Sequence, residues 1–334
     1  MNIVQVLPEL TEESVRDFIP RLLSTVHLEC LVYGNCTPDR AQQLYDGVVT
    51  KLKTDCRTRA LLPSQLHQER EVELRETASV YTTTNGVHRS SCIENYYQCG
   101  LQDTKNNMLL ELFSQIINED CYNQLRTKEQ LGYIVFSGVR RSNGAQGLRV
   151  IVQSDRHPQY LDERIESFIS TVESLLEKME ETEFQQHVEA LASKRLEKPK
   201  KLGVRNGRYW SEILSKHYNF DRDQIEVRML YLGQLLNYYS MLLQVECLRK
   251  LTKMDIIKFF SSHISAGESR RKMSCHVVST CSGGAGVEPS EAHQHTPGTR
   301  LVNDITAFKA SLPLFPLAQP FVELESLKRP SEQS

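Results

Sequence analysis

Two stretches of this chain, TEESVRDFI at 11–19 and TKMDIIKFF at 252–260, follow one pattern 241 residues apart. Each opens on a hydroxyl suited to capping a helix, repeats apolar side chains at three- and four-residue spacing, and leads into a strand-like run, 26–33 after the first and 272–279 after the second. A cap, a matched apolar face and a succeeding strand recurring at such a distance are what two copies of one domain show at their ends. Since the first copy begins almost at its own end, the expectation is that residues 1–70 are the C-terminal remnant of one domain and 71–334 a complete second. The 334 residues then divide unevenly, although at roughly 150 residues per domain they would suit two ordinary ones.

Periodicity along the chain predicts the elements. Val15, Phe18, Ile19 and Leu22 share one face of a helix over 11–24, and Thr37-Pro38 opens another that runs to about Leu52. Residues 57–70 hold no sustained period and read as a linker. In the second block, 71–84 and 92–99 read as strands joined around Asn85-Gly86. A helix follows between Thr104 and Arg126, with Leu109, Leu112, Phe113, Ile116 and Ile117 on one stripe. Ser142-Asn143-Gly144 turns a strand over 133–139 back into one over 148–153; a helix over 160–179 precedes another beginning at Thr182. Strands and then helices within one block predict an α+β fold, a layered and mostly antiparallel sheet with packed helices.

Charge narrows the partners: 40 Lys+Arg against 42 Asp+Glu leave −2, so no bulk field draws the chain to nucleic acid or to an anionic membrane. Nine cysteines, odd in number and without a C-x-x-C, suit buried thiols in a reducing compartment better than a disulfide frame or a zinc ribbon. Met1 to Leu10 show no secretory pattern, and the expected location is cytoplasmic. Residues 229–245 carry no charge, but Gln234, Asn237, Ser240 and Gln244 would be awkward in lipid, so the run reads as a buried or loosely docked helix.

The signatures of intrinsic catalysis are missing. Neither H-E-x-x-H nor H-x-x-E-H occurs, none of the 10 histidines has a second at helical i+4 spacing, and G-x-S-x-G, the P-loop and G-x-G-x-x-G are absent. Cys275 and His276 are adjacent, but neighbours on a strand point to opposite faces. One segment stands out electrostatically: over 194–208 there are seven basic residues against the single acidic Glu197. Lys198, Lys200 and Lys201 gather three ammonium groups around Pro199, an arrangement suited to phosphate-rich ligands though without the interleaved aromatics of a nucleic-acid platform. Residues 162–183 hold eight acidic and two basic side chains, so a dipolar pair of solvated surfaces is the plainer account.

The block QLRTKEQLGYIVFSG at 124–138 closely resembles the carboxy-terminal half of the insulinase (pitrilysin-like) zinc metallopeptidases. The runs LLPSQL at 61–66, LEKPKKL at 196–202, YNFDRD at 218–223 and LPLFPL at 312–317 extend the resemblance over nearly the whole chain. It implies a chamber-forming peptidase in which four homologous α/β domains make two bowl-shaped halves around unfolded peptides. Zinc and the glutamate that activates water belong to the other half in that family. This chain is therefore expected to bind no cofactor, to be inactive alone, and to work with a zinc-bearing N-terminal half, a full-length homologue or a second copy of itself. By motif match, Arg126 and Tyr133 look like the family's substrate-contacting pair, and Lys198, Lys200 and Lys201 look like part of its site for ATP and other polyanions. The implied ligands are peptides and such polyanions, not nucleic acid or membrane, and family members occur in cytosol, mitochondria and peroxisomes. Two departures stand out: the amino-terminal half is missing, and residues 228–246 look inserted between segments that the family pattern joins almost directly. The rival reading is a self-standing, inactive peptide- or polyanion-binding homologue that pairs with a full-length peptidase.

Overall fold

Helix boundaries follow the capping side chains closely. In the computed structural model, which describes residues 6–67, 69–197, 199–218, 220, 251–267, 269–286 and 298–317, α1 (Glu12–Leu22) opens with a reciprocal box: the Ser14 amide donates to the Thr11 hydroxyl at 3.1 Å and the Thr11 amide to the Ser14 hydroxyl at 3.0 Å. β1 (Thr25–Val26) follows, then α2 (Pro38–Cys56), with the Thr37 hydroxyl accepting from the Arg40 amide and proline at the first helical position. The strand expected over 26–33 is this short because its ladder partner, β2 (Arg59–Ala60), pairs with two residues only. Nor is 57–70 a bare linker: it contains β2, and the Thr58 hydroxyl donates to the Leu23 carbonyl at 2.6 Å. Neither α1 nor α2 buries a single residue.

The chain continues through β3 (Ala78–Asn85), β4 (Ser91–Leu101) and α3 (Thr104–Tyr122), and a π-helical turn over Asn123–Lys128 ends that helix. β5 (Ile134–Ser142) and β6 (Ala145–Ser154) form a hairpin whose two loop residues, Asn143 at φ 45° and Gly144 at φ 83°, are both left-handed, the geometry that matches strand twist. α4 (Pro158–Lys178), α5 (Glu181–Leu196), α6 (Leu202–Leu214), α7 (Lys253–His263), β7 (Lys272–Ser279), β8 (Arg300–Val302) and α8 (Ile305–Ala310) complete the order. The chain forms two units, one of Met1–Glu69 with Pro199–Tyr218 and one of Arg70–Lys198 with Asn219–Ser334. The apparent insertion at 228–246, the uncharged run at 229–245 and Lys198 lie outside the described residues.

The second unit is built on a six-stranded sheet in the order β5-β6-β4-β7-β3-β8. β5–β6, β6–β4 and β4–β7 pair antiparallel, whereas β3 is parallel to β7 and to β8. Asn85-Gly86 reverses the chain as expected, yet β3 and β4 are not neighbours, because β7 lies between them. A turn signal specifies a local reversal; which strand fills the space beside it is decided by burial, and β7 is buried along most of its length. Only Ala78 onward of the expected 71–84 strand joins the sheet; in the preceding segment the Gln98 side chain accepts from the Leu74 amide and donates to the Val72 carbonyl.

Helices α3, α4, α5 and α7 cover the inner face, where Phe113 stacks on Phe260 at 5.7 Å and meets Phe259 at 6.3 Å. Part of the outer face is closed by a second cluster of Leu74, Met273, Val302, Phe308 and Leu312. The result is the layered α+β arrangement read from the sequence. Beneath α4, the buried Lys272 ammonium lies 2.6 Å from Asp162 and 2.9 Å from Glu166, while Asn95 donates to Asp162 and Tyr97 to Glu166, so each buried charge has an answering partner. All eight described cysteines are free, but only Cys99 and Cys121 are buried, fewer than the composition suggested. His276 sits in the interior on β7 while Cys275 packs against the second cluster on the other face, which separates the pair chemically.

Candidate functional site

The segment between α3 and β5 places Arg126 and Tyr133 together. It is unusually well pinned for a loop. The buried Leu125 and Leu131 anchor its ends in the main core, and the Leu131 amide donates to the Leu125 carbonyl at 3.0 Å. Between them the Glu129 amide donates to the Gln124 carbonyl, and Gln130 takes a left-handed φ of 52°. The Glu129 carboxylate receives both Nε and Nη2 of Arg164 from α4, at 2.7 and 2.8 Å, and the Gln124 side chain at 2.7 Å. These Arg164 hydrogen bonds hold the Glu129 carboxyl below its ordinary value and raise Arg164. Gly132 then brings the backbone hard against β6: a Cβ there would stand 1.8 Å from the Gln153 carbonyl oxygen, so no other residue fits without moving the loop.

This framework turns Tyr133 outward. The residue is 86% exposed, although a tyrosine at the head of a strand is ordinarily a packing residue. The Arg126 guanidinium carbon lies 5.9 Å from the ring centroid, within cation–π range, and the Arg126 Nε is buried without a hydrogen-bond partner. A phenol and a guanidinium held side by side on a braced loop can donate to a peptide carbonyl or to a developing oxyanion. The structure thus brings together the two residues that the motif singled out. No pattern in the sequence assigns a role to Glu129 or Gly132, and Arg164, 35 residues from Glu129, carries no signal at all.

The lysines are less gathered. Lys200 and Lys201 are both exposed, directly before α6, and the Lys201 side chain makes no capping hydrogen bond to that helix. The basic run divides between units, Lys194 in the second and Lys200, Lys201, Arg205 and Arg208 in the first. The missing aromatics are supplied from elsewhere in the first unit: Arg205 stands 5.7 Å from the Tyr33 ring, which is 5.4 Å from that of Tyr209. Among the described residues, no group of three or more His, Cys, Asp or Glu could hold a metal ion, and the donor set does not fit zinc. No described helix is long and apolar enough to cross a membrane.

Comparison with known proteins defines the class first. The fold matches that of pitrilysin at a TM-score of 0.70 and 24% identity, covering 94% of this chain and 30% of that one. A family model described as PQQ synthase PqqF-like, C-terminal lobe domain 4, matches residues 112–210, which include the braced loop. More particularly, the chain is homologous to the C-terminal part of insulin-degrading enzyme, an insulinase-family peptidase. It is 43% identical to that of Bos taurus over 97% of this chain and 31% of that protein, and 36% identical to that of Drosophila melanogaster over 98% and 32%. The chain spans about a third of the length of the relatives it matches.

Proposed function

We propose that this chain is the non-catalytic carboxy-terminal part of an insulin-degrading-enzyme-like zinc endopeptidase, completing a substrate chamber and contacting peptide through Arg126 and Tyr133. The observation that carries the reading is the braced, outward-facing Tyr133 beside Arg126, on a loop whose anchors would otherwise have nothing to hold in place. Each residue has a separable task. Arg126 orients and neutralises a peptide carbonyl, Tyr133 donates its phenolic proton in a hydrogen bond, and the Glu129–Arg164 pair fixes both. Metal and activated water come from the partner portion, and no step at the metal involves this chain's side chains.

In the same reading, residues 1–70 are the end of one peptidase-type domain and 71–334 the next, and Lys198, Lys200 and Lys201 contribute to a site for ATP or other polyanions. The N–H groups at the start of α6, which the Lys201 side chain does not cap, add positive potential beside it. The free thiols favour a reducing compartment such as the cytosol.

The test is to mix the chain with the zinc-bearing portion of a homologue that it does not match, and to follow cleavage of a fluorogenic peptide. Activity restored by the wild-type chain, and lowered 10²-fold or more by Arg126→Ala or Tyr133→Phe with folding intact, is the expected result. Peptide or phosphate binding with no restoration at any ratio would favour the self-standing binding protein instead.

A further inference from the structure

β5 is an edge strand, and its outward face carries apolar side chains where water would ordinarily select polar ones. Val135 and Ser137 point into the core, whereas Ile134 and Phe136 are exposed on the other face. Phe136 is held flat. Its ring lies over Gly138, where a Cβ would stand 2.7 Å from the ring, and the guanidinium carbon of Arg149, opposite Gly138 on β6, lies 5.2 Å from the ring centroid. Three such guanidinium–ring pairs occupy this face and its approach, but they differ in charge balance. Arg140 over Tyr96 is answered by Glu71 at 3.7 Å. Arg126 and Arg149 have no carboxylate partner among the described residues, and the Nε of each is buried without a hydrogen bond. Glu94, diagonal to Arg149 across β4 and β6, makes no ion pair with it.

An aromatic shelf with an unanswered guanidinium beside it suits a side chain that combines an aliphatic stem with a carboxylate. From Tyr133 to Phe136 is three strand residues, about 10 Å at the usual rise, which is also the reach of three residues of an extended peptide. We propose that Phe136 and Arg149 form a second peptide subsite selective for an acidic side chain, about three positions along the substrate from the residue held by Arg126 and Tyr133. This rests on the peptidase reading and deepens it by naming a charge preference.

The experiment uses the full chain and fluorescence anisotropy with labelled, unstructured ten-residue peptides. A single glutamate is walked through an otherwise uncharged sequence, each peptide being paired with its glutamine counterpart. At one register the wild-type chain should prefer glutamate roughly tenfold. Arg149→Gln should bring that ratio to one without changing the melting temperature, Arg149→Lys should retain part of it, and Arg126→Gln should weaken both peptides of a pair. Binding with a ratio of one at every register, or a ratio unchanged by Arg149→Gln, overturns the subsite and leaves the peptide reading standing. A chain that binds none of the peptides overturns both.

Discussion

Helices α1 and α7 are written in nearly the same local code and end in opposite circumstances. Both begin with a threonine in a reciprocal capping box and run for 11 residues with apolar positions in the same places. In α7, Ile256, Phe259 and Phe260 are buried under Phe113 of α3; in α1 the corresponding Val15, Phe18 and Ile19 lie open, Phe18 at 50% exposure against 3% for Phe259. Capping and periodicity decide that a helix forms and which face is apolar. Whether that face becomes core depends on elements 100 or more residues away, and among the described residues none covers α1 well enough to bury a side chain of it. On the proposed reading, this open apolar stripe is covered in the assembled peptidase.

The largest effects should separate the two helices. Phe260→Ala removes a ring from a closed core and should cost about 3–5 kcal/mol in urea unfolding. Ile19→Ala, at the matching position of α1, should stay within about 0.5 kcal/mol; equal losses would break the comparison. Next comes the site loop, which shares α7's dependence on distant partners. Because the Glu129 carboxyl is held below its ordinary value by Arg164, its contribution is complete above about pH 4.5 and is lost as pH falls through the lowered value. Exchange protection of the Leu131 amide should therefore fall in acid, and in Glu129→Gln it should be weak already at pH 7; protection indifferent to pH in the wild type would contradict this. The smallest effect should be common to both helices. Thr11→Ala and Thr252→Ala should each lower the protection of the first helical turn by about 1 kcal/mol, since the caps are alike.

What could be read from sequence follows the same division. The caps at Thr11, Thr37 and Thr252, the hairpin at Asn143-Gly144 and the apolar stripes of α3 and α4 are local, and the structure has them where the pattern put them. The interposition of β7 between β3 and β4 is not local, and neither is the shortening of the strand after α1, whose sheet offers it only the two residues of β2. At the site, Arg126 and Tyr133 were legible through a recognisable motif. Their bracing was not, because the Arg164 side chain reaches Glu129 from another helix and Gly132 is required by a carbonyl of β6. The Phe136–Gly138 pair was visible as residues but not as a stacked ring, since only the register with Arg149 gives it a meaning.

The contrast between α1 and α7 is tested most directly by hydrogen exchange along α1, in the chain alone and after adding the portion of an insulin-degrading enzyme that this chain does not match. The account predicts fast exchange over residues 12–22 in the isolated chain while α7 is protected, and a rise of α1 toward the protection of α7 once that portion is added. An α1 as protected as α7 from the start, or one whose exchange is unmoved by the addition, would contradict it.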